Sequence, residues 1–128
     1  MPSLILKKSR ISQALLNADV LENGENKLKL NFSFSTMLPN GENPKSEGRV
    51  RIDLETTTEC NNLFLKIIYD AILSFESEEL DATKKMDLLE KEGTPITYKC
   101  FCEYLNKFIE VNQLKKIILP QYSELKNM

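Results

Sequence analysis

Lys27-Leu28-Lys29-Leu30-Asn31-Phe32-Ser33-Phe34-Ser35 is the stretch on which the fold turns. Leu28, Leu30, Phe32 and Phe34 alternate with Lys27, Lys29, Asn31 and Ser33, a period of two that separates apolar and polar groups onto opposite faces of an extended chain. The pattern predicts a half-buried strand. Arg49 to Thr56 repeats it, with Val50, Ile52 and Leu54 opposed to Arg49, Arg51, Asp53 and Glu55, as in a sheet with one wet face. Between the two, Pro39 to Gly48 is rich in turn residues and long for a simple hairpin, which predicts an exposed, mobile loop.

Reading outward, Leu63 to Phe75 follows an Asn61-Asn62 turn signal and is apolar on both faces. Leu65, Ile67, Tyr69, Ala71 and Leu73 lie on one, and Phe64, Ile68 and Ile72 on the other, so the second face needs a cover. Leu4 to Leu16 alternates less regularly and reads as a first strand, divided from the next by Asn23-Gly24. Beyond Phe75 the period changes. Ser77-Glu78-Glu79 offers a cap and acids for a helix over Leu80 to Lys91, with Gly93 suited to its C-terminus. Thr94-Pro95 then places a capping hydroxyl before a proline at the first helical position, predicting a second, longer helix. Phe101, Tyr104, Leu105 and Phe108, joined by Ile109 or Val111, form its apolar stripe. Such a stripe needs a flat apolar surface beneath it. The expected class is α+β: a four-stranded antiparallel sheet with a long C-terminal helix packed on one face. Leu114 to Leu119 ends at Pro120, and Tyr122 and Leu125 are placed to dock back.

The 128 residues fit one domain spanning the whole chain. Seventeen Lys plus Arg against 19 Asp plus Glu leave a net charge of -2, which gives no general attraction to nucleic acid or anionic lipid. No apolar run approaches the roughly 18 residues a spanning helix needs, so no membrane partner is expected. Lys7, Lys8 and Arg10 follow the apolar Leu4-Ile5-Leu6, the reverse of a secretory signal's order, and a cytoplasmic location is expected. Cys60, Cys100 and Cys102 are too few for a disulfide framework and read as reduced thiols.

Catalytic equipment is sparse. The chain has no histidine, which removes Ser-His and Cys-His nucleophiles. Cys100 and Cys102 stand two apart on a helix and diverge by about 200°, so no shared metal is expected. No glycine-rich phosphate loop occurs, and no cofactor is expected. Glu78, Glu79 and Asp81, and Asp87, Glu90 and Glu92, read as solvated helix faces, and Tyr69, Tyr98 and Tyr104 as core packing. The chain is not expected to be an enzyme.

The helix opening at Pro95 with a tyrosine soon after, followed by Ile117-Ile118-Leu119-Pro120-Gln121-Tyr122-Ser123-Glu124-Leu125, resembles the SecB family of protein-export chaperones. That family closes the region with a Leu-rich segment, a proline, a polar-aromatic pair and a following leucine. Asn62 to Ser77 is similar to its last strand, with Phe64-Leu65 near the start and Ile72-Leu73-Ser74-Phe75 near the end. The likeness covers nearly the whole order of elements. Thr97-Tyr98-Lys99-Cys100-Phe101 departs from the family's helix-start signature, and Ile11 to Leu16 lacks the acids with which SecB meets the export motor, pointing to a divergent relative. The resemblance implies an ATP-independent holdase, a dimer or tetramer, whose partners are unfolded or precursor polypeptides, an antitoxin or export machinery. It implies a client groove lined by Phe32, Phe34, Met37, Leu38, Phe101, Tyr104, Leu105, Tyr122 and Leu125. Phe64, Ile68 and Ile72 are then the candidate oligomer contact. An inhibitor or adaptor with one fixed partner, or a small-ligand-binding α+β domain, are the other readings of the same features.

Overall fold

The computed structural model describes residues 4–17, 28–38, 47–58, 61–76 and 81–111. Strands β1 (Leu4–Leu16), β2 (Leu28–Met37), β3 (Glu47–Thr58) and β4 (Leu63–Phe75) pair antiparallel in the order β1-β4-β3-β2, which leaves β1 and β2 as the edges. The α+β class expected from the alternation is the one observed. Glu47 and Gly48, read as loop, belong to β3 and pair with Ser74 and Leu73. The rest of that loop lies outside the described residues, as do Cys60, Ser77, Tyr122 and Leu125.

β2 and β3 pair without interruption from Leu28↔Thr58 to Met37↔Arg49, and their alternation is correspondingly clean. β1 is different. Its register to β4 jumps between Leu6 and Lys8 and again between Ile11 and Gln13. Each jump inserts one residue, and an inserted residue reverses which face the following side chains meet. Leu4, Leu6, Ser9, Ile11, Ala14 and Leu16 therefore oppose the inward residues Phe75, Leu73, Ala71, Tyr69, Ile67 and Leu65.

A third bulge corrects the reading of β4. Thr56 pairs with Leu65 and Thr57 with Leu63, so Phe64 is the extra residue. It turns into the core at 2% exposure instead of sharing a face with Ile68 and Ile72. Thr56 Oγ1 donates to the Leu65 carbonyl at 3.0 Å beside this irregularity. In the turn that follows β3, Asn61 has φ 63°, the left-handed region that asparagine tolerates better than most residues.

Helix α1 (Ala82–Leu88) is capped by Asp81, whose carboxylate accepts from the Lys84 N–H at 2.8 Å. The helix does not stop at Gly93. A π-helical turn, Leu89–Gly93, carries it directly into α2 (Thr94–Val111), and Thr94 itself is helical at φ -64°, ψ -46°. The two separate helices expected from Gly93 and Thr94-Pro95 are thus one rod. Pro95 has no N–H and its ring crowds the carbonyl one turn back, and a widened turn just ahead accommodates both defects. Thr94 N–H donates to the Leu89 carbonyl, and Thr97 Oγ1 donates to that of Gly93 at 2.8 Å.

The rod covers one sheet face. Under α2 lie Ile52, Leu54, Phe64, Leu65, Ile67 and Tyr69, met by Tyr98, Phe101, Leu105 and Ile109. Leu4, Val50, Ala71, Leu73 and Phe75 form a second cluster with Leu89 of the π turn. Each fully buried Leu or Phe contributes about 2 kcal/mol by leaving water. Of the stripe expected on α2, Phe101, Leu105 and Ile109 are buried, whereas Tyr104 is 44% and Val111 80% exposed.

Candidate functional site

α2 packs across β3 and β1 and does not reach fully over the edge strand β2. The inward face of β2 carries Leu28, Leu30, Phe32 and Phe34, apolar because this face belongs to the core, yet all four are only partly buried. The result is a trough. Phe32 and Phe34 form its floor, stacked at 6.1 Å between centroids and 8° between planes. Tyr98 forms its helical wall, edge-on to Phe32 at 5.7 Å and 6.2 Å from Phe34. Phe101 backs the wall, 6.4 Å from Phe32.

The wall is electrically quiet. Cys102 stands beside Tyr98, and burial pushes its thiol above the ordinary range, opposed by a hydrogen bond from Tyr98 and reinforced by Glu103. The trough can offer apolar and aromatic contact, a neutral thiol and the β2 backbone edge, which no other described strand pairs. Such an edge is a template for an added extended segment. Among the described residues, no group of three or more His, Cys, Asp or Glu is placed to hold a metal ion. No described helix is long and apolar enough to cross a membrane.

The residues implied as groove walls are divided by the fold. Phe32 and Phe34 line the trough, and Leu38, at the end of β2, packs against the second cluster. Phe101 and Leu105 are at most 1% exposed and support the trough from below. Met37 follows the alternation to the opposite face of the sheet, where it is 61% exposed. Tyr104 lies on the other flank of α2, 5.4 Å from the ring of Tyr69. Ile68 and Ile72 are partly buried on the sheet face opposite α2, apart from Phe64. Tyr98, read as core packing, is buried at 4% exposure, and from the core it touches both Phe32 and Phe34; that contact with the edge strand is what its place three and four residues before Phe101 and Cys102 did not announce.

No family model matches the sequence, and no curated protein matches it. Solved structures do match. The SecB-like chaperone Rv1957 of Mycobacterium tuberculosis, in complex with a ChAD peptide from the HigA1 antitoxin, is similar to this chain with a TM-score of 0.67. The match covers 92% of this chain and 86% of that one at 12% identity. The fold is SecB-like. A protein of unknown function from Streptococcus agalactiae is also similar, with a TM-score of 0.55 and 14% identity over 94% of this chain and 98% of its own. At such identities the SecB-like likeness is one of architecture, and the trough between β2 and α2 is read from this chain's own residues.

Proposed function

We propose that this chain is an ATP-independent chaperone-type protein, one SecB-like domain over residues 1–128, that holds extended apolar polypeptide segments in the β2–α2 trough. The supporting observation is the partly buried pair Phe32 and Phe34 on a strand at the edge of the described sheet, in contact with Tyr98: apolar area and an edge strand coincide there. Two stacked phenylalanines left partly open on a strand cost hydration free energy that a bound apolar segment recovers. Stacking and burial demand little sequence in the occupant, which suits clients of varied sequence. The SecB-like relative from Mycobacterium tuberculosis holds an antitoxin peptide, and this supports a polypeptide occupant here. The sequence brings no nucleotide-binding loop, in keeping with holding clients without hydrolysis. Leu38 packs beside the second cluster, Tyr122 and Leu125 are carried into this proposal by the SecB-like resemblance alone, and the protein acts in the cytoplasm as a homo-oligomer on unfolded or precursor polypeptides.

Light scattering of a thermally unfolding test protein such as citrate synthase tests this reading. The chain suppresses aggregation near stoichiometric ratio without ATP, and Phe32→Ser/Phe34→Ser loses the effect while keeping its circular dichroism spectrum. Absence of suppression by the wild-type chain, or full suppression by the folded double variant, overturns it. A protein with one fixed partner, or a small-ligand domain, fails the same assay.

A further inference from the structure

The sheet face opposite α2 carries a different surface. We propose that it is a docking site for an acidic polypeptide segment, held in extended form by Lys8, Arg10, Arg49 and Arg51. These residues surround an open groove of about 420 Å³, together with Met37, Asp70 and Ile72.

Register builds the groove. Lys8, Ile72, Arg49 and Met37 lie opposite one another across all four strands, and Arg10, Asp70, Arg51 and Ser35 form the next row. The first bulge in β1 is what turns Lys8 and Arg10 to this face. Four cations thus line the groove with one carboxylate, and that carboxylate is already engaged; on the same face Asp53 acts on Arg51, and Glu47, two residues before Arg49, is held by Lys7. Arg51 grips Asp70 with two hydrogen bonds of 2.7 and 3.0 Å, and Ser12 Oγ donates to it at 2.8 Å. Lys8, Arg10 and Arg49 make no ion pair among the described residues, and all three are exposed. In a chain of net charge -2, a groove with three cations outside any described ion pair, of which Arg10 also acts on Asp70, is a local excess of positive charge that attracts anions against the overall field.

The spacing selects a peptide. Lys8 and Arg10 stand two apart on one strand, about 6.6 Å, and Arg49 stands two strands from Lys8, about 10 Å away. Carboxylates at alternate positions of an extended segment recur at that same 6.6 Å or so, and guanidinium groups take them in paired hydrogen bonds. Ile72 and Met37 lie between and beside the cations, so the fitting segment alternates acids with apolar side chains. Three free cations fall short of the roughly six to ten phosphate contacts that give duplex DNA binding its strength, which disfavours nucleic acid.

The probe is a fluorescein-labelled peptide of alternating Glu and Leu, read by fluorescence anisotropy on the full chain, beside the Lys-for-Glu peptide and a labelled oligothymidine. The Glu peptide binds, weakens with added salt, and loses about tenfold or more in affinity with Lys8→Glu/Arg49→Glu. Lys8→Gln/Arg49→Gln gives a smaller loss and serves if charge reversal prevents folding. Phe32→Ser, on the opposite face, leaves this affinity unchanged even if the chaperone-type reading fails. The proposal is overturned by equal binding of the Lys peptide, by tighter binding of oligothymidine, by unchanged affinity in both folded variants, or by self-association that the same variants abolish without affecting the peptide.

Discussion

Leu89 occupies the space that a side chain on Gly48 would need: a methyl group there would lie 2.9 Å from Leu89 Cδ2 and 3.0 Å from Cδ1. Leu89 is fully buried, and a methyl on Gly93 would meet the same leucine at 3.0 Å, so it is hemmed in from the helix side as well. The glycine in β3 is what lets the π turn settle onto the sheet. Gly48→Ala is expected to cost about 1–3 kcal/mol by overpacking, and Leu89→Ala about 2–5 kcal/mol by leaving a cavity. Because each change relieves the other, the double variant should lose about 1 kcal/mol less than the two losses added. Urea unfolding of the three variants measures this, and strict additivity would show that the two residues do not compete for space.

Asp70 gives the outer face a pH dependence. The hydrogen bonds from Arg51, aided by Ser12 and by the charges of Arg51 and Arg10, hold its carboxyl below the ordinary carboxylate range against a smaller opposing effect of burial. A folded-state pKa below the unfolded one stabilises the protein at all pH above the unfolded value near 4, and the contribution is lost as pH falls through the folded value. Arg51 is 54% exposed and Asp70 30%, so water screens the pair and holds its worth to about 1 kcal/mol or less. Asp70→Asn should therefore be less stable than wild type at pH 7 and indistinguishable from it near pH 2. A deficit that persists undiminished at low pH would mean the carboxylate's charge is irrelevant.

The sheet was legible in the sequence wherever pairing is uninterrupted. Leu28 to Phe34 and Val50 to Leu54 alternate because β2 and β3 run ten residue pairs without a bulge. Leu4 to Leu16 lost its period because two inserted residues reverse the phase, and no single-strand pattern announces a bulge whose cause lies in the partner strand. The same limit misplaced Phe64. Pro95 misled differently: Thr-Pro after a glycine is a strong local start signal, and packing of Leu89 between Gly48 and Gly93 overrode it. For the candidate site, Phe32 and Phe34 followed from alternation, whereas Tyr98 depended on which flank of α2 faces the edge strand. The basic groove depended on register across all four strands.

Both described thiols should react slowly. Burial pushes Cys100 upward, with Glu103 adding to it and Lys99 opposing, and burial likewise raises Cys102. Because the thiolate is the nucleophile, each should be alkylated by iodoacetamide at pH 7.5 several-fold more slowly than the same cysteine in the urea-unfolded chain. The rates should climb as pH passes the ordinary thiol range. Peptide mapping by mass spectrometry separates the positions, and modification of Cys102 as fast as in the unfolded chain would contradict its burial beside Tyr98.

Tyr69 is fully buried beneath α2, its ring 5.6 Å from Phe101 and 5.4 Å from Tyr104, yet its hydroxyl makes no hydrogen bond of normal geometry among the described residues. Burial pushes its ionisation upward, and Ser9 relieves this only in part. A neutral hydroxyl held away from water without a full partner costs about 1–3 kcal/mol, while the ring supplies the packing. Tyr69→Phe keeps the ring and discards the stranded group. Its stability should equal or exceed that of wild type by up to about 1 kcal/mol, whereas Tyr69→Ala should lose about 3–5 kcal/mol. Thermal unfolding of both variants is the measurement, and a loss above about 1 kcal/mol in Tyr69→Phe would show that the hydroxyl has a partner after all.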